Sequence, residues 1–263
     1  LIFMRTNAMC TREKEKYAVG NCRPGEEAYW YEPLLAGAST FSQYLFHGAV
    51  YRSVKDVLSA LSPDEYSDFV KQFLHKGLSR HGDYWRYADI CTVLKVLAVA
   101  LEVRDYMEIG VRRGRSMAMV AKARPQAHLV GFDLWQENYA GMDNPGPEFV
   151  RQELKKVGHT GKVEFVSGDS HETVPEYFEA NPDAFFDMIT VDGDHSENGA
   201  RLDLLTVIPR LKIGGALVFD DIAHPKHLYL MDVWEKTVKR RREFSTFEYT
   251  ELGYGVAFAI RHA

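Results

Sequence analysis

The feature that most constrains this chain is an alternation that begins after Arg104. Short apolar, β-branched runs at residues 106–109, 128–133, 163–167, 187–192 and 216–220 read as buried strands. Residues 116–122, 147–157, 174–180, 197–211 and 228–241 carry helical patterns between and after them. Residues 247–250 and 256–260 read as a closing antiparallel pair. Parallel neighbours need a crossover long enough to hold a helix, so this order builds a doubly wound sheet. The expected fold is α/β and Rossmann-like, with seven strands, the last antiparallel, after an N-terminal helical segment.

Residues 1–103 have another texture. Gly20, Pro24, Gly25, Pro33 and Gly37 break the first fifty residues into turns, while Tyr29, Trp30, Tyr31, Phe41, Tyr44 and Phe46 give them something to pack. Val54, Val57, Leu58 and Leu61 form a helical stripe. Ser62 then reads as an N-cap with Glu65 as its capping-box partner. Residues 84–101 read as a further helix with Ile90, Val93, Leu94 and Leu97 on one face. The expected division is a lid or oligomerisation segment at 1–103 and a ligand-binding domain at 104–263.

Composition narrows the class. The 263 residues are enough for one large α/β domain with an added helical segment, and 26% charged with 46% hydrophobic residues is ordinary for a soluble globular protein. A net charge of -5 argues against nucleic acid as the main partner, and the basic run Lys239–Arg242 is explained by a helix C-terminus. No apolar stretch reaches about 18 residues, so no membrane span is expected. The opening Leu1-Ile2-Phe3-Met4-Arg5 is too short for a signal peptide. Cys10, Cys22 and Cys91 form no C-x-x-C pair. Cys10 and Cys22 could pair, but reduced thiols in a cytoplasmic protein are the plainer reading.

Chemistry concentrates where the strands end. Asp192 closes one apolar run, His195 follows three residues later, and Asp220-Asp221 closes the next run. Neighbouring parallel strands would bring these carboxylates together at the carboxyl edge, where open α/β sheets bind ligands. Such acids repel one another unless a cation lies between them, and hard oxygen ligands suit Mg²⁺, Mn²⁺ or Ca²⁺. The loop after the first strand, Glu108-Ile109-Gly110-Val111-Arg112-Arg113-Gly114-Arg115-Ser116, has G-x-x-x-G spacing rather than the dinucleotide G-x-G-x-x-G. Gly110 allows a tight turn and Gly114 a close approach to a ligand. Glu108 would supply an anion that suits an amino-acid or sulfonium ligand. Asp133, ending the second strand, is placed to accept from ribose hydroxyls. Gly168-Asp169-Ser170 could border an adenine ring, with Trp135 and His171 as stacking candidates; Asp169 and Ser170 could equally cap the next helix.

In this order and spacing the residues resemble the class I S-adenosylmethionine-dependent methyltransferases. The motifs are Glu108-x-Gly110-x-x-x-Gly114-x-Ser116, Asp133, Gly168-Asp169-Ser170, Asp192-Gly193-Asp194-His195 and Asp220-Asp221. Within that class the chain looks most like the metal-dependent O-methyltransferases of the macrocin and mycinamicin sugar type, with cephalosporin hydroxylase-like relatives. That resemblance implies S-adenosylmethionine bound by Glu108, Gly110, Arg112, Gly114, Ser116, Asp133, Leu134, Gly168, Asp169, Ser170 and Asp192. It implies Mg²⁺ or Mn²⁺ held by Asp192, Asp220 and Asp221, with His195 as general base. Relatives often have Glu where this chain has Asp220. The implied acceptor is a hydroxyl of a sugar or glycosylated natural product. A phenolic or polyketide acceptor, or a non-catalytic cofactor-binding subunit of a larger assembly, is the alternative. The residues 135–147 form a polar-aromatic loop on the same edge, suited to acceptor selection. His224 and His227 lie just beyond the acidic pair, either on the loop surface or against the acceptor. The expected assembly is a homo-oligomer.

Overall fold

The structure, a computed structural model, describes residues 13–14, 29–30, 36–138, 141 and 143–263. Cys10, Cys22 and Tyr31, and Tyr139, Ala140 and Met142 of the loop, lie outside the described residues. β1 (Glu13–Lys14) and β2 (Tyr29–Trp30) form a small antiparallel ladder. Then follow α1 (Ala38–Ser42), α2 (Gly48–Ala60), α3 (Glu65–His81) and α4 (Ile90–Ala100).

The alternation read from the sequence is present as β3 (Asp105–Ile109), α5 (Arg115–Ala123), β4 (His128–Asp133), α6 (Pro147–Lys156), β5 (Val163–Ser167), α7 (Ser170–Ala180), β6 (Phe186–Val191), α8 (Glu197–Val207) and β7 (Leu211–Asp220). α9 (Tyr229–Trp234) runs on as a wider π turn over Glu235–Lys239. β8 (Phe244–Tyr249) and β9 (Val256–Arg261) close the chain. The sheet order is β5-β4-β3-β6-β7-β9-β8. β3 to β7 pair in parallel, and β9 runs antiparallel between β7 and β8. The order reverses direction between β3 and β6, which opens a crevice at their carboxyl ends.

Both sheet faces are covered. Met107, Ile109, Val130, Phe132, Ile189, Leu217 and Trp234 belong to one buried cluster. The other runs from Ala38, Tyr51, Leu94 and Leu97 through Met117 and Val120 to Met188, Ala216 and Phe258. Residues 36–103 therefore share a core with the sheet, and the change of texture at Arg104 is not a gap in packing. Leu97 is fully buried there, and truncating it to Ala would cost about 2–5 kcal/mol.

Local starts differ from the sequence expectation where a second contact competes. Ser62 does not cap α3; its N–H and hydroxyl donate to the Glu153 carboxylate at 2.6 and 2.9 Å. Asp64 caps instead, accepting from Ser67 N at 2.9 Å, a carboxylate being well placed at the positive end of a helix. The helix expected from residue 84 starts at Ile90. Tyr51 Oη, bonded to the backbone of Trp85 and Tyr87, holds the preceding segment extended, and Asp89 with Thr92 forms a capping box. α7 starts at Ser170 rather than near residue 174, because Asp169 caps it by accepting from His171 N at 2.9 Å.

Candidate active site

The register sets the site. Val191 pairs with Phe219, so the next residues, Asp192 and Asp220, stand level at the tips of β6 and β7. Ile109 pairs with both Val191 and Phe132, which brings Gly110 beside Asp192 and Asp133. Asp192 N donates to Ile109 O, and Gly110 N to Phe132 O, each at 2.8 Å. Gly110 has φ +90°, and a Cβ there would lie 1.9 Å from the Asp192 carbonyl oxygen. Only glycine lets the two strand tips approach so closely.

Asp192, His195 and Asp221 present donor atoms that all lie within 4.8 Å of one another. His195 Nε2 is 3.0 Å from Asp221 Oδ2 and 3.5 Å from Asp192 Oδ1. Asp221 reaches inward from a left-handed backbone, φ +62°, an uncommon conformation for a residue with a side chain. Burial, and then the charges of Asp192 and Asp221, push the Asp220 carboxyl well above the usual carboxylate range. Burial and the Asp221 charge also raise Asp192, against the opposing pull of His195. For His195, burial disfavours the charged ring, but the two carboxylates outweigh it and raise its pKa to about 11. The imidazolium thus serves as counter-ion to these acids, with the Arg112 charge also acting on Asp192.

This donor set fits a hard divalent cation: carboxylate oxygens converge, and their charge is only partly offset. Of the three ligands expected from sequence, Asp192 and Asp221 meet in that cluster, joined by His195. Asp220 stands beside it and is not one of its members.

The other side of the crevice is built around Asp133. Its carboxylate accepts from Arg112 N at 2.7 Å, Trp135 N at 2.6 Å and Asn144 Nδ2 at 3.1 Å. Trp135 Nε1 and Asn144 Oδ1 are buried with no hydrogen-bond partner among the described residues. Buried polar atoms are rarely left so, and here they fit a polar ligand beside Asp133. Leu134 is 61% exposed at the same tip. Asp169 caps α7, and Ser170 Oγ donates to Asp203 at 2.8 Å. Trp135 packs edge-on against Phe165, and His171 lies 3.2 Å from the Gly199 carbonyl. Gly168 holds its turn at φ +134°.

Two loop residues are used differently than expected. Glu108 is fully buried, bonded to Tyr106 Oη at 2.9 Å and to Ser116 Oγ. Burial raises its pKa to about 8, so at neutral pH it is mainly an uncharged carboxyl and not an anion beside the turn. Gly114, with φ +73°, faces Val150: a Cβ would come within 2.6 Å of its Cγ1. Packing of α6 requires glycine there.

Sequence reasoning missed several neighbours. Tyr106 bridges Glu108 and Thr190. Tyr66 of α3 lies within electrostatic reach of Asp89 and Asp220, with Arg115 over its ring at 4.7 Å. Asp203 is buried beside Ser170 and His171, its pKa raised by burial to about 6. An acid three residues after Ala200 on the apolar stripe of α8 was a signal that could have found it.

The comparisons agree with this architecture. Residues 107–222 match a family described as a methyltransferase domain. No curated protein matches the chain. Among solved structures, the O-methyltransferase TomG of Streptomyces achromogenes, involved in tomaymycin synthesis and solved with S-adenosylmethionine, is 20% identical. The match covers 77% of this chain and 92% of that one, with a TM-score of 0.54. An O-methyltransferase from Bacillus cereus, solved with S-adenosylhomocysteine, is 17% identical over 81% and 97% of the two chains, TM-score 0.55. CalS11, a TDP-rhamnose 3'-O-methyltransferase of calicheamicin biosynthesis, is 22% identical over 81% and 93%, TM-score 0.51. At these identities the likeness is one of fold. By matched domain and by fold, the chain is similar to the class I S-adenosylmethionine-dependent methyltransferases. No helix among the described residues is long and apolar enough to cross a membrane.

Proposed function

We propose that this chain transfers a methyl group from S-adenosylmethionine to a hydroxyl of a small molecule in the cytoplasm, with Mg²⁺ or Mn²⁺ bound at the acidic cluster. The observation that carries the reading is the convergence of Asp192, His195 and Asp221 beside the Gly110 turn. Asp133, with the unpartnered Trp135 Nε1 and Asn144 Oδ1, would hold the ribose side of the cofactor. Asp192 and Asp221, with Asp220 behind them, would hold the cation. When bound, such an ion lowers the pKa of an alcohol and orients its oxygen.

The chain's own part is positioning and proton handling. His195 is held as a cation by the same two carboxylates. Once another positive charge shares them, its ring can lose its proton and act as a base toward the acceptor hydroxyl. Tyr66 and Arg115 would wall the acceptor side, which makes the segment 36–103 part of the site. A sugar hydroxyl, on a free or glycosylated molecule, suits the polar wall formed by His224, His227 and Tyr254.

The test is a pair of measurements. S-adenosylhomocysteine should raise the melting temperature by mass action, and NAD should not. Labelled methyl transfer to a panel of glycosylated and phenolic acceptors should then be abolished by EDTA and restored by Mg²⁺. No melting shift with either S-adenosyl ligand would remove the reading, and EDTA-insensitive turnover would remove the metal from it.

A further inference from the structure

Resting on the methyltransferase reading above, we propose that Asp203 is a positioning residue for the base of the cofactor. It takes the Ser170 hydroxyl proton and leaves Ser170 Oγ able only to accept, which suits a base whose edge carries an amino group.

The strand order gives the direction of the cofactor. Across the carboxyl edge stand Ser170 beyond β5, Asp133 at β4, Gly110 beyond β3 and Asp192 beyond β6. With the ribose at Asp133 and the methyl group toward Asp192, the base points to β5. Gly168 N donates to Asp133 O at 3.1 Å, which seats the start of α7 beside the ribose station. Two strands separate β5 from β6, a span of about 14 Å at the usual spacing. α7 and α8 pack together over that span, and Asp203 of α8 meets Ser170 of α7 there.

Asp203 breaks the pattern of its own helix. Ala200, Leu204 and Val207 are buried around it, and its carboxyl is 1% exposed. Ser170 Oγ donates to Oδ1 at 2.8 Å. His171 Nε2, 3.2 Å from the Gly199 carbonyl, is 3.5 Å from the same Oδ1. Oδ2 faces the Gly193 turn, 3.3 Å from where a Cβ would sit, and has no hydrogen-bond partner among the described residues. Burial disfavours the charged carboxyl, and so does the Asp194 charge; Ser170, His171 and the Asp194 backbone N–H favour it. A leucine would continue the apolar stripe without that desolvation cost.

What the acid adds is the direction of one hydroxyl. Serine has one O–H and two lone pairs, and a carboxylate only accepts, so the Ser170 proton is committed inward. Ser170 is half-buried and its Oγ accepts from no group among the described residues. Its lone pairs are left to the ligand. Adenine offers N–H at its 6-position, whereas hypoxanthine offers a carbonyl oxygen that would meet a lone pair. Polar sites discriminate by mismatches of this kind.

The experiment uses the full chain and two ligands, S-adenosylhomocysteine and S-inosylhomocysteine, with Kd measured by calorimetry. The wild type should favour the adenine ligand by roughly tenfold or more. In Asp203→Leu the ratio should fall to within about threefold of one, while the melting temperature of the ligand-free protein holds or rises. Asp203→Asn keeps the volume, but its amide can donate to Ser170 as well as accept from it, so the preference should drop by about threefold or more. This second variant decides the matter if the leucine variant does not fold. A wild type without preference overturns the proposal. So does a preference that survives in the variants while their ligand-free melting temperature falls, since Asp203 is then a tie within the core. Failure of the methyltransferase reading itself is recognised separately, because the wild type then binds neither ligand.

Discussion

The two ends of the sheet carry the same residue types with opposite electrostatics. At the amino end, Lys212 Nζ bonds Asp105 at 2.7 Å and Asp187 at 3.0 Å. His128 Nε2 lies 2.6 Å and Lys162 Nζ 2.7 Å from Glu164. Burial pushes Asp105 and Glu164 up, but these cations outweigh it and hold both carboxyls below their ordinary values. At the carboxyl end, burial and like charges win, and Glu108, Asp192 and Asp220 are all raised. One end pairs its acids with lysines and a histidine; the other gathers Asp192, Asp220 and Asp221 around a single imidazolium. A folded protein gains nothing from uncompensated acids unless a ligand completes them.

The sharpest way to break this contrast is Asp192→Ala. If the carboxyl end serves a cation, the substitution lowers kcat for methyl transfer by roughly 10³-fold or more, the several kcal/mol such an ion supplies. The melting temperature of the ligand-free protein should hold or rise, because one repelling charge is gone. A fall in both would make this end structural, like the other.

Asp187→Ala probes the amino end and should do the reverse. Its carboxylate accepts from the backbone N–H of Arg104 and Asp105 at 2.9 and 3.0 Å and from Lys212. Removing it orphans the two backbone donors and leaves Lys212 with Asp105 alone, for a loss of about 2–3 kcal/mol in chemical denaturation, while S-adenosylhomocysteine affinity stays within a few-fold. A stability change near zero would show these pairs to be solvated decoration.

Asp187 and Asp192 also show what was legible in the sequence. Both sit in one apolar run, and the alternation gave the strand, its direction and the edge where Asp192 would lie. Nothing local distinguishes the acid that finds Lys212, 25 positions on, from the one that finds no lysine. The same limit explains Ser62, claimed by Glu153 from α6, and Gly114, required by Val150. Glu108 was read as an anion because its burial between Tyr106 and Ser116 depends on the neighbouring strands. Strand-end residues are visible in one dimension; their compensation is not.

A smaller effect separates the ends by pH. The Asp105 carboxylate, 3.7 Å from Nδ1, raises the His128 pKa, burial opposes it, and Glu164, bonded to Nε2 at 2.6 Å, adds to the rise. Its contribution to stability is therefore complete below the ordinary value of about 6.5 and is lost as pH climbs through the higher folded value. Unfolding free energy measured from pH 6 upward should fall over that window, and His128→Gln should flatten this part of the slope. An unchanged slope would place the titration elsewhere.

The finest test is Glu108→Gln, because it asks whether the carboxyl end uses charge at every acid or only at the acidic cluster of Asp192 and Asp221. The folded pKa of about 8 lies above the unfolded value near 4.5. Folded protein therefore holds a proton that the unfolded chain has lost, and this group makes stability fall as pH rises from about 4.5 to 8. Gln removes that slope. At pH 7 it should cost little, since its amide N–H can donate to Tyr106 Oη, whose own proton goes to Thr190 at 2.8 Å, while the amide oxygen accepts from Ser116 Oγ. S-adenosylhomocysteine affinity within about threefold of wild type would assign Glu108 to shaping the Gly110 loop as a neutral group. A loss beyond about tenfold, 1.4 kcal/mol, would mean that the bound cofactor's own positive charge ionises this carboxyl. In that case the carboxyl end holds two separate anionic stations, one for the cation cluster and one for the methyl donor.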